Sequence, residues 1–145
     1  MGTISKNFSY SEFEQSETAK ARGITNIISS FEVRDAVRAL TLNVLQPLRD
    51  AWGAPLHINS GYRCPALNQA VGGVPTSQHT KGEAADIKAE HPAKLAQLAY
   101  NLGLPFDQMI IYPTFVHFSH KLKGPQRGAI LYNKSYKGKH ITLKK

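Results

Sequence analysis

Residues 77–86, SQHTKGEAAD, set a histidine and an aspartate seven positions apart, His79 and Asp86, with Gly82 between them and Ser77 just ahead. Imidazole nitrogen and carboxylate oxygen are both zinc ligands, at about 2.0–2.2 Å in near-tetrahedral sites. Seven residues would make two helical turns, but Gly82 and the composition around it argue for a loop carrying His79 that leads into a strand carrying Asp86. On such a strand Ala85 and Ile87 face one way and Asp86 the other, so its carboxylate can leave the core for a cleft. A lone pair of this kind is more often polar surface than a site, and a third ligand has to be found.

The remaining histidines are His57, His91, His117, His120 and His140. His117 interrupts the apolar run FVHFS at 115–119. Val116 and Phe118 would face the core, and His117 would share the other face with Phe115 and Ser119. His57, opposite Leu56 and Ile58, is the second choice. His120 has the parity of Val116 and Phe118, His91 precedes a helix and reads as a cap or surface residue, and His140 lies in a basic stretch. Cys64 is the single cysteine, so neither an intrachain disulfide nor a cysteine metal cluster is available. It reads as a small loop residue.

The elements that must position these groups can be read coarsely. The chain has 145 residues, 41% hydrophobic and 19% charged, which suits one domain spanning 1–145 with one core. The opening, NFSYSEFEQSETAKARGITN, reads as a short helix followed by irregular chain, with Phe8 and Phe13 tying it to the core. A long helix starts at SSFE, where Ser29 and Glu32 fit a capping box. Val33, Val37, Leu40, Val44 and Leu48 form its apolar stripe. Pro47 should kink or end it near Leu45. A second helix runs from about Pro92 to Leu102, with Leu95, Leu98 and Leu102 as its stripe and Gly103 at the position after its end. Short strands are expected at 56–59, 84–87, 109–112, 115–119, 129–132 and 140–143. A long Gly/Pro/Ser-rich connection fills 60–82, and such loops are often functional. Helices first and strands later predict an α+β fold with a mainly antiparallel sheet.

The run INSGYRCPALNQAVGGVPTSQHTKGEAADI, with FDQMIIYPTFVHFS downstream, resembles the M15 zinc peptidases. These include D-Ala-D-Ala carboxypeptidases and phage peptidoglycan endopeptidases. The matching positions are Ser60, Gly61, Tyr62 and Arg63, then Ser77, His79, Gly82, Ala84 and Asp86, then Phe115, Val116, His117 and Ser119. The resemblance runs from about Phe8 to Ser119. It implies a Hedgehog/DD-peptidase type of α+β fold, with helices packed on one side of the sheet. It also implies zinc held by His79, Asp86 and His117, Arg63 near the substrate, and Ser77 bonded to the peptide backbone.

The resemblance also implies a carboxylate a few residues before the last histidine, serving as general base. The segment 111–116, IYPTFV, contains neither Asp nor Glu. Tyr112, five before His117, and Thr114, three before it, occupy the expected places. A phenol with a pKa of about 10 is a poor base but can donate to an oxyanion. Glu83, Asp107 and His120 are weaker alternatives, and Asp107 reads as fixing the turn it belongs to. Three readings follow: a zinc peptidase acting on peptidoglycan stem peptides, a zinc-containing peptidoglycan-binding domain with weak or lost catalysis, and a basic structural or nucleic-acid-binding phage protein.

Net charge is +8, and no Asp or Glu follows Asp107. From about residue 121 the chain is a basic segment, suited to anionic wall polymers or another polyanion. Nucleic acid is the less favoured partner. No apolar run approaches the ~18 residues of a membrane span, and the N-terminus lacks the apolar stretch of a signal peptide. The expectation is a monomer made in the cytoplasm without a leader. It would act on the cell wall after release by another route, as a phage or prophage lysis enzyme does.

Overall fold

The computed structural model describes residues 2–143, so Lys144 and Lys145 of the basic segment lie outside the described residues. The chain opens with a two-stranded antiparallel ribbon, β1 (Thr3–Ser5) and β2 (Phe8–Ser9). Two short helices follow, α1 (Tyr10–Glu14) and α2 (Glu17–Arg22), where the sequence suggested one helix and irregular chain. The capping box is found here: the Ser9 N–H donates to Glu12 at 2.8 Å. Phe8 and Phe13 are buried, as expected.

Helix α3 (Phe31–Leu40) starts one residue later than expected. Ser30, not Ser29, is the cap, accepting from the Val33 N–H, and Glu32 makes an exposed ion pair with Lys123 instead of closing a box. Of the stripe as read, Val37, Leu40, Val44 and Leu48 are fully buried, and Val33 at its start is half-buried against the core. Pro47 does not end the helix. A π-helical turn at Thr41–Leu45 runs directly into α4 (Gln46–Trp52), with the Gln46 N–H reaching back to the Thr41 carbonyl. The wider turn sits just ahead of the proline, so the ring and the missing donor are absorbed by rewinding rather than by a break.

Strand β3 (Ile58–Ser60) lies two residues beyond the expected start, leaving His57 exposed before it. The connection after it is not structureless. It contains α5 (Pro65–Ala70) and a 3-10 turn at Gln78–Lys81. Then come β4 (Ala84–Lys88), α6 (Pro92–Asn101), β5 (Gln108–Ile111), β6 (Phe115–Ser119) and β7 (Ala129–Tyr132). In α6 the expected Leu95 is fully buried and Leu98 packs partly buried against the core, joined by Ala96 and Ala99, while Leu102 is exposed. Gly103 takes φ 68°, the left-handed turn predicted for it.

The main sheet has the order β3-β4-β6-β5-β7. Its first three pairings are antiparallel, and β7 joins β5 in parallel at the edge. One face carries Ala85, Ile87, Met109, Ile111, Val116 and Phe118, which share a single core with the buried residues of α1, α3, α4 and α6. Residues 140–143 form no strand. They lie along the surface through bonds to side chains: the Ile141 N–H donates to the Tyr132 hydroxyl, and Thr142 and Gln97 bond reciprocally. Side-chain partners replaced a ladder for that segment.

Candidate metal centre

In the antiparallel register of β4 and β6, Asp86 stands opposite His117, between the core pairs Ala85–Phe118 and Ile87–Val116. The two-residue period of each strand therefore delivers carboxylate and imidazole together to the face away from the core. His79 arrives from the 3-10 turn. Ser77 caps that turn by accepting from the His79 N–H at 3.2 Å, and its carbonyl accepts from Thr80 Oγ1 at 2.7 Å. Gly82 ends the turn at φ 75°, a left-handed conformation, with its α-carbon so close to Val33 that a Cβ would stand 2.7 Å from the Val33 carbonyl. The chain can then enter β4 directly.

The three side chains converge. His117 Nδ1 is 2.8 Å from Asp86 Oδ1, and His79 Nε2 is 3.4 Å from the same oxygen. One ligand atom from each lies within 4.8 Å of the others. The rings of His79 and His117 meet edge to face with centroids 5.1 Å apart. His79 is 3% exposed and Asp86 8%, so both are largely shielded from bulk solvent.

The donor chemistry fits a metal ion. His79 Nδ1 is 2.7 Å from the Gly61 carbonyl, which can only accept, so Nδ1 carries the proton. In the neutral ring Nε2 then presents a lone pair to a carboxylate oxygen. Two electron-rich atoms at that distance need a positive charge between them, a further proton or a cation. Metal-bound histidines are held in this way, the second nitrogen donating to a backbone carbonyl. Burial works against ionising Asp86, but the hydrogen bond from His117, and from His79 when a proton rather than a metal occupies its Nε2, with the positive charge they bring, hold its carboxyl well below the usual range.

Arg63 flanks the triad. Its Nη2 is 3.8 Å from Asp86 Oδ2, and its Nε donates to Ser60 Oγ at 3.1 Å. Its backbone N–H donates to the His79 carbonyl, so the SGYR stretch and the SQH turn are tied to each other. Burial lowers the guanidinium's pKa, and Asp86 and Tyr112 oppose that. Tyr112 stacks on Phe115 with centroids 4.1 Å apart. Burial and the charge of Asp86 raise its phenol, while Arg63 and a hydrogen bond with Asn133 pull it back, so it remains a neutral phenol at pH 7.

The alternatives considered from the sequence are placed elsewhere. His57 and His91 are exposed, and His140 stacks on Tyr132. His120 is buried with Nδ1 on the Pro105 carbonyl. Glu83 accepts from Gln78 and from the Leu122 N–H. Asp107 does more than fix its own turn: it accepts from Arg127 and Gln78 across the sheet edge. Thr114 is exposed and brings no acid. A cleft of about 740 Å³ lies between α3, the 76–83 segment and residues 121–127, and none of the triad lines it.

Sequence reasoning missed Asn26. It is buried, donates to the carbonyls of Glu14 and Tyr62, and accepts from the Cys64 N–H, so it fixes the backbone on both sides of Arg63. Asn133 was missed too. Neither lies in a motif or a periodic pattern, and nothing in the sequence marked them.

These features define a mixed α/β domain with a His-Asp-His centre on its sheet. Residues 6–119 match the model of the peptidase M15 family, and the chain belongs to that family. It is 35% identical over 100 residues to the zinc D-Ala-D-Ala carboxypeptidase of Streptomyces albus G, a match covering 67% of this chain and 38% of that protein. The chain thus spans well under two thirds of that relative's length.

Proposed function

We propose that this protein is a zinc metallopeptidase that hydrolyses an amide bond, one involving D-alanine, in the stem peptides of bacterial peptidoglycan. The observation that carries the reading is the convergence of His79 Nε2, Asp86 Oδ1 and His117 Nδ1 in one buried cluster with Arg63 beside it. Family membership and the name of the Streptomyces relative support the choice of metal and of substrate class. The fold is proposed to be of the Hedgehog/DD-peptidase type, in one domain that acts as a monomer.

His79, Asp86 and His117 hold zinc. Zinc held by these three side chains would supply Lewis-acid polarisation of a carbonyl and would lower the pKa of a water towards ~7. Arg63 supplies a fixed positive charge, able to grip a substrate carboxylate or to polarise the scissile carbonyl. Ser77 offers its hydroxyl to the peptide backbone. Tyr112 donates a hydrogen bond to the charge that develops on the carbonyl oxygen. The segment before His117 contributes no base, since Tyr112 and Thr114 stand where an acid is expected.

That missing acid favours a second reading, a zinc-containing domain that binds peptidoglycan with little turnover. Mass analysis of purified muropeptides incubated with zinc-loaded protein separates the two. A new product that is lost in His79→Ala supports the peptidase; saturable binding without product supports the binding domain. A role in lysis by a phage or prophage is part of the proposal and is supported by the +8 charge, which suits anionic wall polymers. Lysis of cells once the protein is released outside the membrane tests it.

A further inference from the structure

Arg63 is held by more than Ser60. Asn68, on α5, is 3% exposed, a buried polar side chain outside the metal centre. Its Oδ1 accepts from Arg63 Nη1 at 3.2 Å, and its Nδ2 donates to the Val74 carbonyl at 2.7 Å. Its own carbonyl accepts from the Gly73 N–H at 2.9 Å. One asparagine therefore ties the guanidinium to the backbone of the 73–74 turn. Both of its amide functions are used, so its orientation is determined by donor and acceptor alike.

Gly73 completes the arrangement. A Cβ at this position would stand 2.1 Å from Asn68 Oδ1 and 3.1 Å from Arg63 Nη1. Gly73 is not among the glycines with positive φ. Its lack of a side chain is thus required by the close approach of Asn68 and Arg63, not by backbone conformation. Three of the Arg63 groups are then accounted for: Nε on Ser60, Nη1 on Asn68, and Nη2 turned to Asp86 Oδ2 at the longer distance of 3.8 Å. The guanidinium edge nearest the triad is the one left with a weak partner, as a substrate-binding edge has to be.

We infer that Asn68 is a positioning residue that aims Arg63 at the substrate, and that Gly73 exists to leave room for it. The inference rests on the proposed reading of Arg63 as a substrate contact. Burial of a fully bonded amide next to a charged group preorganises that charge; loss of the outer partners of metal ligands costs about 10- to 100-fold, and a partner that aims a substrate-binding arginine is expected to matter on the same scale.

The test is a double-mutant cycle on the zinc-loaded full chain with muropeptide as substrate: Asn68→Leu, Arg63→Lys and both together. Arg63→Lys keeps charge but loses the fork that Asn68 holds. Asn68→Leu is expected to lower kcat/KM by about 10- to 100-fold at unchanged zinc content, and to add almost nothing in the Arg63→Lys background. Losses that multiply would overturn the inference, because Asn68 would then act independently of Arg63. Gly73→Ala is expected to reproduce the single Asn68 phenotype, and it carries the test if Asn68→Leu fails to fold. The Nη1 resonance of Arg63 in ¹⁵N NMR gives a readout that needs no turnover. It is expected to be sharp and slow to exchange in the wild type and broadened in Gly73→Ala or Asn68→Leu; an unchanged signal would refute the clamp. Absence of wild-type hydrolysis would count against the proposed function, while the NMR comparison would still decide the clamp.

Discussion

Asp86 and Asp107 are both buried carboxylates held ionised by nitrogen, and their surroundings differ in kind. Asp107 is fully buried and accepts from the Arg127 N–H, Nε and Nη2 and from Gln78 Nε2. Every one of those donors is a permanent N–H, so the site is closed. Asp86 faces two imidazoles, one with its lone pair turned inward, and a guanidinium at 3.8 Å. The two imidazoles can exchange a proton for a metal. A depressed carboxyl marks both places; only the replaceable character of its neighbours marks a reactive one.

The sharpest break between the two regions comes from ligand removal. His79→Ala or His117→Ala is expected to abolish zinc binding and to cut muropeptide hydrolysis by roughly a thousand-fold or more. Metal analysis and a turnover assay read the result; full zinc occupancy in His117→Ala would disprove the ligand set. Asp107→Ala should do the reverse. It removes charge-assisted bonds and strips Arg127 of its carboxylate partner, costing about 2 kcal/mol in denaturant unfolding, with zinc stoichiometry intact.

The comparison sharpens with acid. Arg127 bonds and charge, working against burial, bring the Asp107 carboxyl down to about 2. An unfolded aspartate titrates near ~3.9. The folded state therefore gains stability from Asp107 that is complete above about pH 4 and is lost as pH falls towards about 2. Unfolding midpoints of wild type should drop across that window, and those of Asp107→Asn should start lower and fall less. Parallel curves would remove Asp107 from the account.

Smaller effects test the periphery. Tyr112→Phe is expected to lower kcat about 100-fold with KM and zinc content nearly unchanged, as for loss of one donor to developing charge. A KM effect alone would make Tyr112 a binding residue. Replacing Lys134, Lys137 and Lys139 by glutamine should weaken sedimentation with cell walls at low salt and matter little at high salt. Binding that ignores the change would separate the basic segment from wall recognition.

Much of the centre was legible because its geometry is local. Asp86 and His117 each interrupt an apolar alternation, and a period of two sends such a residue to the face opposite its neighbours. The buried positions of α3 followed from spacing in the same way. The helix through Pro47 was not legible, since a π-helical turn depends on how the helix packs and not on propensity. The strand expected at 140–143 failed because alternation there meets side chains, Tyr132 and Gln97, rather than a free sheet edge.

Sequence by itself determined the ligand types, the family pattern and the absence of an acid at 111–116. These are properties of residue identity and short spacing, and no folding is needed to state them. Tertiary structure alone decided that Asp86 and His117 stand in register, that His79 turns its Nε2 towards them, and that Asn26 and Asn68 lock Arg63 from two sides. Those relations join residues tens of positions apart. Their energies come from buried hydrogen bonds whose partners meet only after the chain has folded.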